Sequence, residues 1–193
     1  MLRLALNSWW MSPSQVAAVA RRHPTNPEAW YYLSVRCQWE TSQLGHMEPP
    51  PTESETAQLR AYYLGVAEHA ARRATELDAD ATPFMRAGHR AQLASALGQR
   101  GDHAGACAVL RKALDEASTS TYPWRDTNVA SMHVALARNL RALGEWSDAE
   151  QEAVLALQSM AWRPESPSAE GRRREAEDIV RDCEMHGASV APD

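Results

Sequence analysis

Two stretches of this 193-residue chain match each other when one is shifted by 43 positions. The matched residues are small or aliphatic, and a glycine stands at the same place in both stretches. The pairs are Ala87/Ala130, Leu93/Leu136, Ala94/Ala137, Leu97/Leu140, Gly101/Gly144, Ala106/Ala149, Ala113/Ala156 and Leu114/Leu157. Alanine lets two helix backbones approach closely, and glycine accepts the positive φ of a tight turn. A period of this size therefore predicts stacked helical hairpins.

Helix starts are marked by capping residues that stand directly before a proline, an arrangement that satisfies free amides and presets the first helical φ. These residues are Ser12, Asn26, Thr82 and Ser166, and further starts are marked by Asp102 and by Ser147 with Glu150. Helix ends are predicted at Gly45, Gly101, Gly144 and Gly187, while Pro49–Pro51 excludes helix. The predicted helices span 13–22, 27–44, 53–78, 83–100, 103–118, 127–143, 147–161 and 167–186. Gly105 lies inside one of them, where alanine is expected to be tolerated.

Composition supports an all-α fold and excludes several classes of protein. Phenylalanine occurs once, and the residues with high strand propensity are sparse. The net charge of −5 argues against nucleic acid as a partner, and no apolar run reaches the roughly 20 residues of a membrane span. The cysteines Cys37, Cys107 and Cys183 are odd in number and show no CxxC spacing, which favours a reducing compartment such as the cytoplasm.

The N-terminal segment, residues 1–26, permits two interpretations. It contains Arg3, Arg21 and Arg22 and no acidic residue before Glu28, which is the composition of an organelle transit peptide. An organelle matrix is therefore the alternative location. The favoured interpretation is an N-terminal capping helix, with the apolar residues between Leu2 and Trp10 buried against the first repeat or another chain.

Four segments carry a resemblance to the tetratricopeptide repeat family over about residues 27–160. Residues 26–34 are similar to the family's first helix, and residues 67–80 are similar to its second helix and exit turn. Two further copies run from Leu93 to Leu114 and from Leu136 to Leu157. The chain departs from the family in a loop near 45–52 and in a spacing of 43 rather than 34 residues.

The resemblance implies a right-handed α-solenoid of about three helical hairpins. Residues 27–161 would form the array, with a Pro-rich insertion near 45–52. Residues 162–193 would form a C-terminal capping helix and tail, whose alternating charges suit a solvated face and whose Ile179, Val180 and Cys183 give a narrow apolar stripe.

The helix over 27–44 carries apolar residues on two faces, although one face suffices to pair it within its own repeat. If the array resembles the tetratricopeptide family, the second face lines the concave groove. The predicted groove residues are Tyr31, Tyr32, Val35, Trp39, Gln92, Ser95, Arg138 and Arg141. The alternative is that this aromatic face is core. A chaperone carboxy terminus is disfavoured, because Arg138 is the only cation at the positions that correspond to the family's carboxylate clamp.

Catalytic and metal-binding patterns are weak in this sequence. His103 with Cys107, and Cys183 with His186, have the spacing of two ligands on one helical face, but zinc needs three or four, and packing is the favoured role. The sequence contains no HExxH, GxSxG or DxDxDG motif and no phosphate-cradling glycine loop, so an enzyme is the third and least favoured class. We therefore expect a noncatalytic module without cofactor that binds another protein's helix, strand or extended segment. The alternatives are a structural subunit of a large assembly and a sensor that responds to a peptide or ligand.

Overall fold

The computed structural model describes residues 11–121, 125–160 and 167–189, and all regular structure in these ranges is helical. The helices are α1 (Pro13–Arg22), α2 (Pro27–Gln43), α3 (Glu53–Glu76), α4 (Pro83–Gln99), α5 (His103–Ser118), α6 (Arg125–Leu143), α7 (Trp146–Met160) and α8 (Pro167–Ser189). The prediction of an all-α chain is confirmed, and every predicted helix is present with its ends within one turn. None of the helices in these ranges is long and apolar enough to cross a membrane.

The predicted capping residues begin most of the helices. The side chains of Ser12, Asn26, Thr82 and Asp102 each accept a hydrogen bond from a backbone amide of the first helical turn. Thr52 and Glu55 form a capping box at α3 that the sequence analysis did not identify. The predicted cap at Ser166 and the segment from Leu2 to Trp10 lie outside the described residues.

The prediction of Ser147 as a cap is wrong, because α7 begins one residue earlier, at Trp146. The amide of Ala149 donates to the carbonyl of Glu145 at 2.9 Å, which places Glu145 at the cap. The expectation for Gly105 also fails, since a Cβ on it would collide with the carboxylate of the capping residue Asp102.

Two of the four glycine stops are confirmed. Gly101 and Gly144 have φ of +88° and +79°, the left-handed conformation that a tight turn requires. Near Gly45 the α-helix ends as predicted, at Gln43, but the left-handed cap is wrong, because Gly45 lies in a 3₁₀ turn, Leu44–His46, without a positive φ. The prediction at Gly187 is wrong as well, because α8 runs through it to Ser189.

Each helix packs against its neighbours along the chain, most closely in the pairs α2–α3, α4–α5 and α6–α7. A second set of contacts joins alternate helices, α2 to α4, α4 to α6, and α6 to α8. Close approach is possible because small residues lie at the contacts: Ala67, Ala70, Ala71 and Ala74 of α3 are all fully buried.

The core consists of two apolar clusters. One joins α1, α2 and α3 with Ala96 of α4, and includes Val16, Leu33 and Cys37. The other extends from α3 to α8 and includes Leu110 and Leu136. Of the predicted apolar stripe of α8, Ile179 and Cys183 are buried in this second cluster and Val180 packs against it half-buried, while Ala176 is buried there as well.

A buried charged network joins the end of α3 to α4 and α5. His89 Nδ1 lies 3.1 Å from Asp78 Oδ2, and Arg90 lies 3.4 Å from the same oxygen and 2.9 Å from Glu116. Asp78 and His89 are each only 3% exposed. Burial lowers the pKa of His89 below its ordinary value, although the hydrogen bond to Asp78 opposes that shift.

Candidate functional site

A cavity of about 590 Å³ lies between α2, α4 and α6 near their C-terminal halves. α3 and α5 contribute side chains at its edge. The lining residues are Gln38, Thr41, Ser42, Arg60, Leu64, Ala94, Ser95, Gly98, Gln99, His103, Ala135, Arg138 and Asn139. Its volume falls within the range of ordinary ligand pockets, which is about 300–1,000 Å³. Most of its lining side chains can donate or accept hydrogen bonds.

Gln38 of α2 organises one wall of the cavity. Its Oε1 accepts hydrogen bonds from Ser95 Oγ at 2.7 Å and from Gln99 Nε2 at 3.0 Å, and its Nε2 donates to the carbonyl of Gln92 at 3.2 Å. Gln92 in turn donates to Ser34 Oγ at 3.3 Å. These bonds cross from α2 to α4 and fix the relative position of the two helices at the cavity.

Asn139 and His103 organise the opposite wall. The amide of Asn139 donates to the carbonyl of Ala135 at 2.7 Å, which leaves Asn139 Oδ1 to accept from His103 Nδ1 at 2.9 Å. This arrangement assigns the ring proton of neutral His103 to Nδ1. Asn139 is 3% exposed, and Gly98 of α4 lies directly against it.

The ionisable side chains that line the cavity are all of basic residue types. Arg60 and Arg138 contribute guanidinium groups and His103 contributes an imidazole, while no Asp or Glu is among the lining residues. Arg138 forms an ion pair of 3.1 Å with Glu175 of α8, in which both side chains are more than one-third exposed. Arg60 forms no ion pair with any residue that the structure describes. The lining thus carries two guanidinium groups and no carboxylate, within a chain of net charge −5.

The aromatic residues of the predicted groove lie beside this cavity rather than in it. The ring of Tyr31 packs between α2 and α4, with its centroid 5.3 Å from that of His89, and burial raises the pKa of its phenol. Tyr32 contacts Tyr31 and packs against the core cluster of α1, α2 and α3. Val35 is half-buried. Trp39 is 37% exposed, with the guanidinium carbon of Arg36 4.2 Å from its ring centroid.

The polar residues of the predicted groove are divided between two places. Ser95 and Arg138 line the cavity, and Gln92 supports it through Gln38 and Ser34. Arg141 lies farther along α6, where it pairs with Asp182 of α8 at 2.6 Å. The structure therefore brings together Gln92, Ser95 and Arg138, while Arg141 contacts the C-terminal helix.

Several lining residues were missed by the sequence analysis. Gln38 follows Tyr31 by seven residues, a spacing that returns to the same side of a helix, so its position was predictable from the stripe itself. His103 was considered only as a metal ligand or a packing residue. Arg60 gave no signal in the sequence, because its place at the cavity depends on how α3 packs against α2 and α4.

The candidate metal pairs contact other side chains. Cys107 is 2% exposed in the core, and its neighbour His103 is bonded to Asn139. Cys183 is buried, and the ring of His186 stacks on Trp146 with centroids 3.9 Å apart. Burial raises the pKa of all three thiols, that of Cys37 to about 11. In the described ranges no three His, Cys, Asp or Glu side chains form a metal-binding group.

A second cavity, of about 550 Å³, lies between Pro49–Pro51 and the first turns of α3. Its lining includes Leu59 and Tyr62, and Tyr62 is 65% exposed. This cavity is made by one helix and the loop before it, whereas the first joins five helices.

Comparison of the chain with protein-family models finds no match, and comparison with curated proteins finds no similar sequence.

Proposed function

We propose that the protein is a noncatalytic interaction module that binds a segment of another protein along the surface shared by α2, α4 and α6. The cavity between these helices carries the proposal. It offers hydrogen-bonding groups from three alternate helices at one place, which suits an extended segment or helix that crosses them.

The proposal includes a right-handed α-solenoid similar to the tetratricopeptide repeat family. Contacts between alternate helices support it, since stacked hairpins place the first helix of each repeat beside the first helix of the next. The 43-residue match supports it as well, because Leu93 and Leu136 are both buried and the matched Gly101 and Gly144 share a positive φ. In such an array α2, α4 and α6 would form the concave layer, and α8 would cap its end.

The chemistry of the lining favours binding over catalysis. Nucleophilic catalysis needs a hydroxyl or thiol activated by a base. Here the hydroxyls of Ser95 and Ser42 are directed to an amide oxygen and a backbone carbonyl, and the imidazole of His103 is bonded to an amide. Among the described lining residues, none pairs a nucleophile with a base.

The experiment compares capture of partners by the parent chain with capture by Gln99→Trp, and uses Gln151→Trp as the matched control. Gln99 lies at the cavity, whereas Gln151 is exposed on α7. The indole at position 99 should fill part of the cavity, so we expect partner recovery to fall on the order of tenfold. Gln151→Trp should recover the partner as the parent does. Equal recovery by both folded variants would refute the proposed surface.

A further inference from the structure

We infer that the cavity between α2, α4 and α6 receives the carboxylate side chain of an acidic segment in the partner protein. This inference rests on the proposed function and adds the chemistry of the ligand. The central observation is that a cavity with two guanidinium groups has no acidic residue in its lining, although the chain contains 25 acidic residues.

Arg60 is available to a ligand. It is exposed at the cavity edge, and its helical neighbours four residues away are Thr56 and Leu64, neither of which is acidic. Several arginines elsewhere pair with an acid four residues away, as Arg36 does with Glu40 and Arg72 with Glu68. An Arg without such a partner, beside a cavity, is suited to bind an oxyanion from outside in a bidentate manner.

Arg138 can also contact a ligand at small cost. Its pair with Glu175 is exposed, and exposed ion pairs of this kind contribute little to stability. A ligand carboxylate at the cavity can therefore share or replace Glu175 as the partner of Arg138.

One hydrogen-bond donor adds to the site. Gln38 uses its Nε2 for one bond, to Gln92, and so retains one N–H, whereas the hydroxyls of Thr41 and Ser42 already donate to backbone carbonyls. The remaining N–H can bind a backbone carbonyl beside an acidic side chain. An extended acidic segment fits the two guanidinium groups and this donor, whereas a segment with a basic residue here would meet like charge.

The test selects peptides from a random 12-residue library on the immobilised full chain. A parallel selection uses Arg60→Gln/Arg138→Gln, and the control is Arg72→Gln/Arg181→Gln, which removes the same charge from other positions. We expect Asp or Glu to be enriched at one position of the peptides selected on the parent and on the control, and this enrichment to be lost on the cavity variant. The best peptide should bind the cavity variant about tenfold more weakly than the parent. Its Glu→Gln form should bind both equally.

The outcomes separate the two proposals. Peptides that bind at the cavity but show no acidic preference would refute the inference and leave the proposed function standing. If no selected peptide binds the Gln99→Trp variant more weakly than it binds the parent chain, the proposed function is wrong. Succinate is titrated alone as a third arm, and if it binds as tightly as the best acidic peptide, the cavity is a small-anion site and the inference about a peptide is wrong.

Discussion

Gly98 of α4 faces Asn139 of α6 so closely that a Cβ on Gly98 would lie 2.7 Å from Asn139 Oδ1. Asn139 cannot easily move away, because its side chain is buried and bonded to both Ala135 and His103. The missing side chain of Gly98 therefore allows α4 and α6 to approach each other at the cavity.

The first prediction is that Gly98→Ala lowers the free energy of unfolding by about 1 kcal/mol, because overpacking outweighs the better helix propensity of alanine. Gly88→Ala, in the same helix, is the matched control. A Cβ there meets no atom within 4 Å, so we expect stabilisation of about 0.5–1 kcal/mol. Urea denaturation of both variants measures the difference. Equal stabilisation by both would mean that Asn139 does not constrain α4.

Gln38→Ala should destabilise the protein by about 1–2 kcal/mol, because it removes the acceptor for Ser95 and Gln99 and the donor to Gln92. Gln151→Ala on the exposed face of α7 should change stability by less than about 0.5 kcal/mol. Chemical denaturation compares the two. A neutral result for Gln38→Ala would show that the hydrogen bonds between α2 and α4 contribute no net stability.

Gly144→Val should reduce stability more than Gly105→Ala, because a β-branched residue is strained at a φ of +79°. Gly105→Ala should now also be destabilising, since its Cβ displaces the carboxylate of Asp102 that caps α5. Gly171→Ala in α8, where a Cβ meets no atom within 4 Å, is the control and should stabilise slightly. Thermal and urea unfolding give the order, and a greater loss for Gly105→Ala than for Gly144→Val would contradict it.

Stability should fall as the pH decreases below about 6.5, in part because of His89. Burial lowers its pKa in the folded chain, so the unfolded chain binds the proton first and is favoured as the pH falls through this window. The groups that act on His89 are Asp78, Arg90, Glu28 and the ring of Tyr31.

His89→Asn should weaken this pH dependence. Asparagine retains a hydrogen-bond donor to Asp78 but does not titrate. The control is His46→Asn, because His46 is exposed. Urea midpoints between pH 5 and 7 measure the slope. If His89→Asn and the parent keep the same slope, His89 does not carry the effect.

Local signals predicted the helices well, because caps and stops depend on a few neighbouring residues. Asp102 and Gly101 illustrate this, since a side-chain acceptor and a positive φ are properties of the local chain. The cap of α7 is Glu145 rather than the predicted Ser147, because the exact residue at which a helix begins also depends on packing. Tyr31 was predicted to line a groove, and its ring packs against His89, a contact that depends on where α4 places that residue. Arg60 was missed although the range of α3 was predicted, because the side of α3 that lies at the cavity depends on how this helix packs against α2 and α4.

The most direct test of the proposed surface is site-specific photo-cross-linking in an extract of the native source. A photoreactive benzoylphenylalanine replaces Ser42 at the cavity in one protein and Gln151 on α7 in another. We expect position 42, but not position 151, to be linked to one contiguous segment of one partner protein that contains Asp or Glu. If position 151 is linked to the same segment, or if position 42 gives no link while the partner still binds, the proposed surface is wrong.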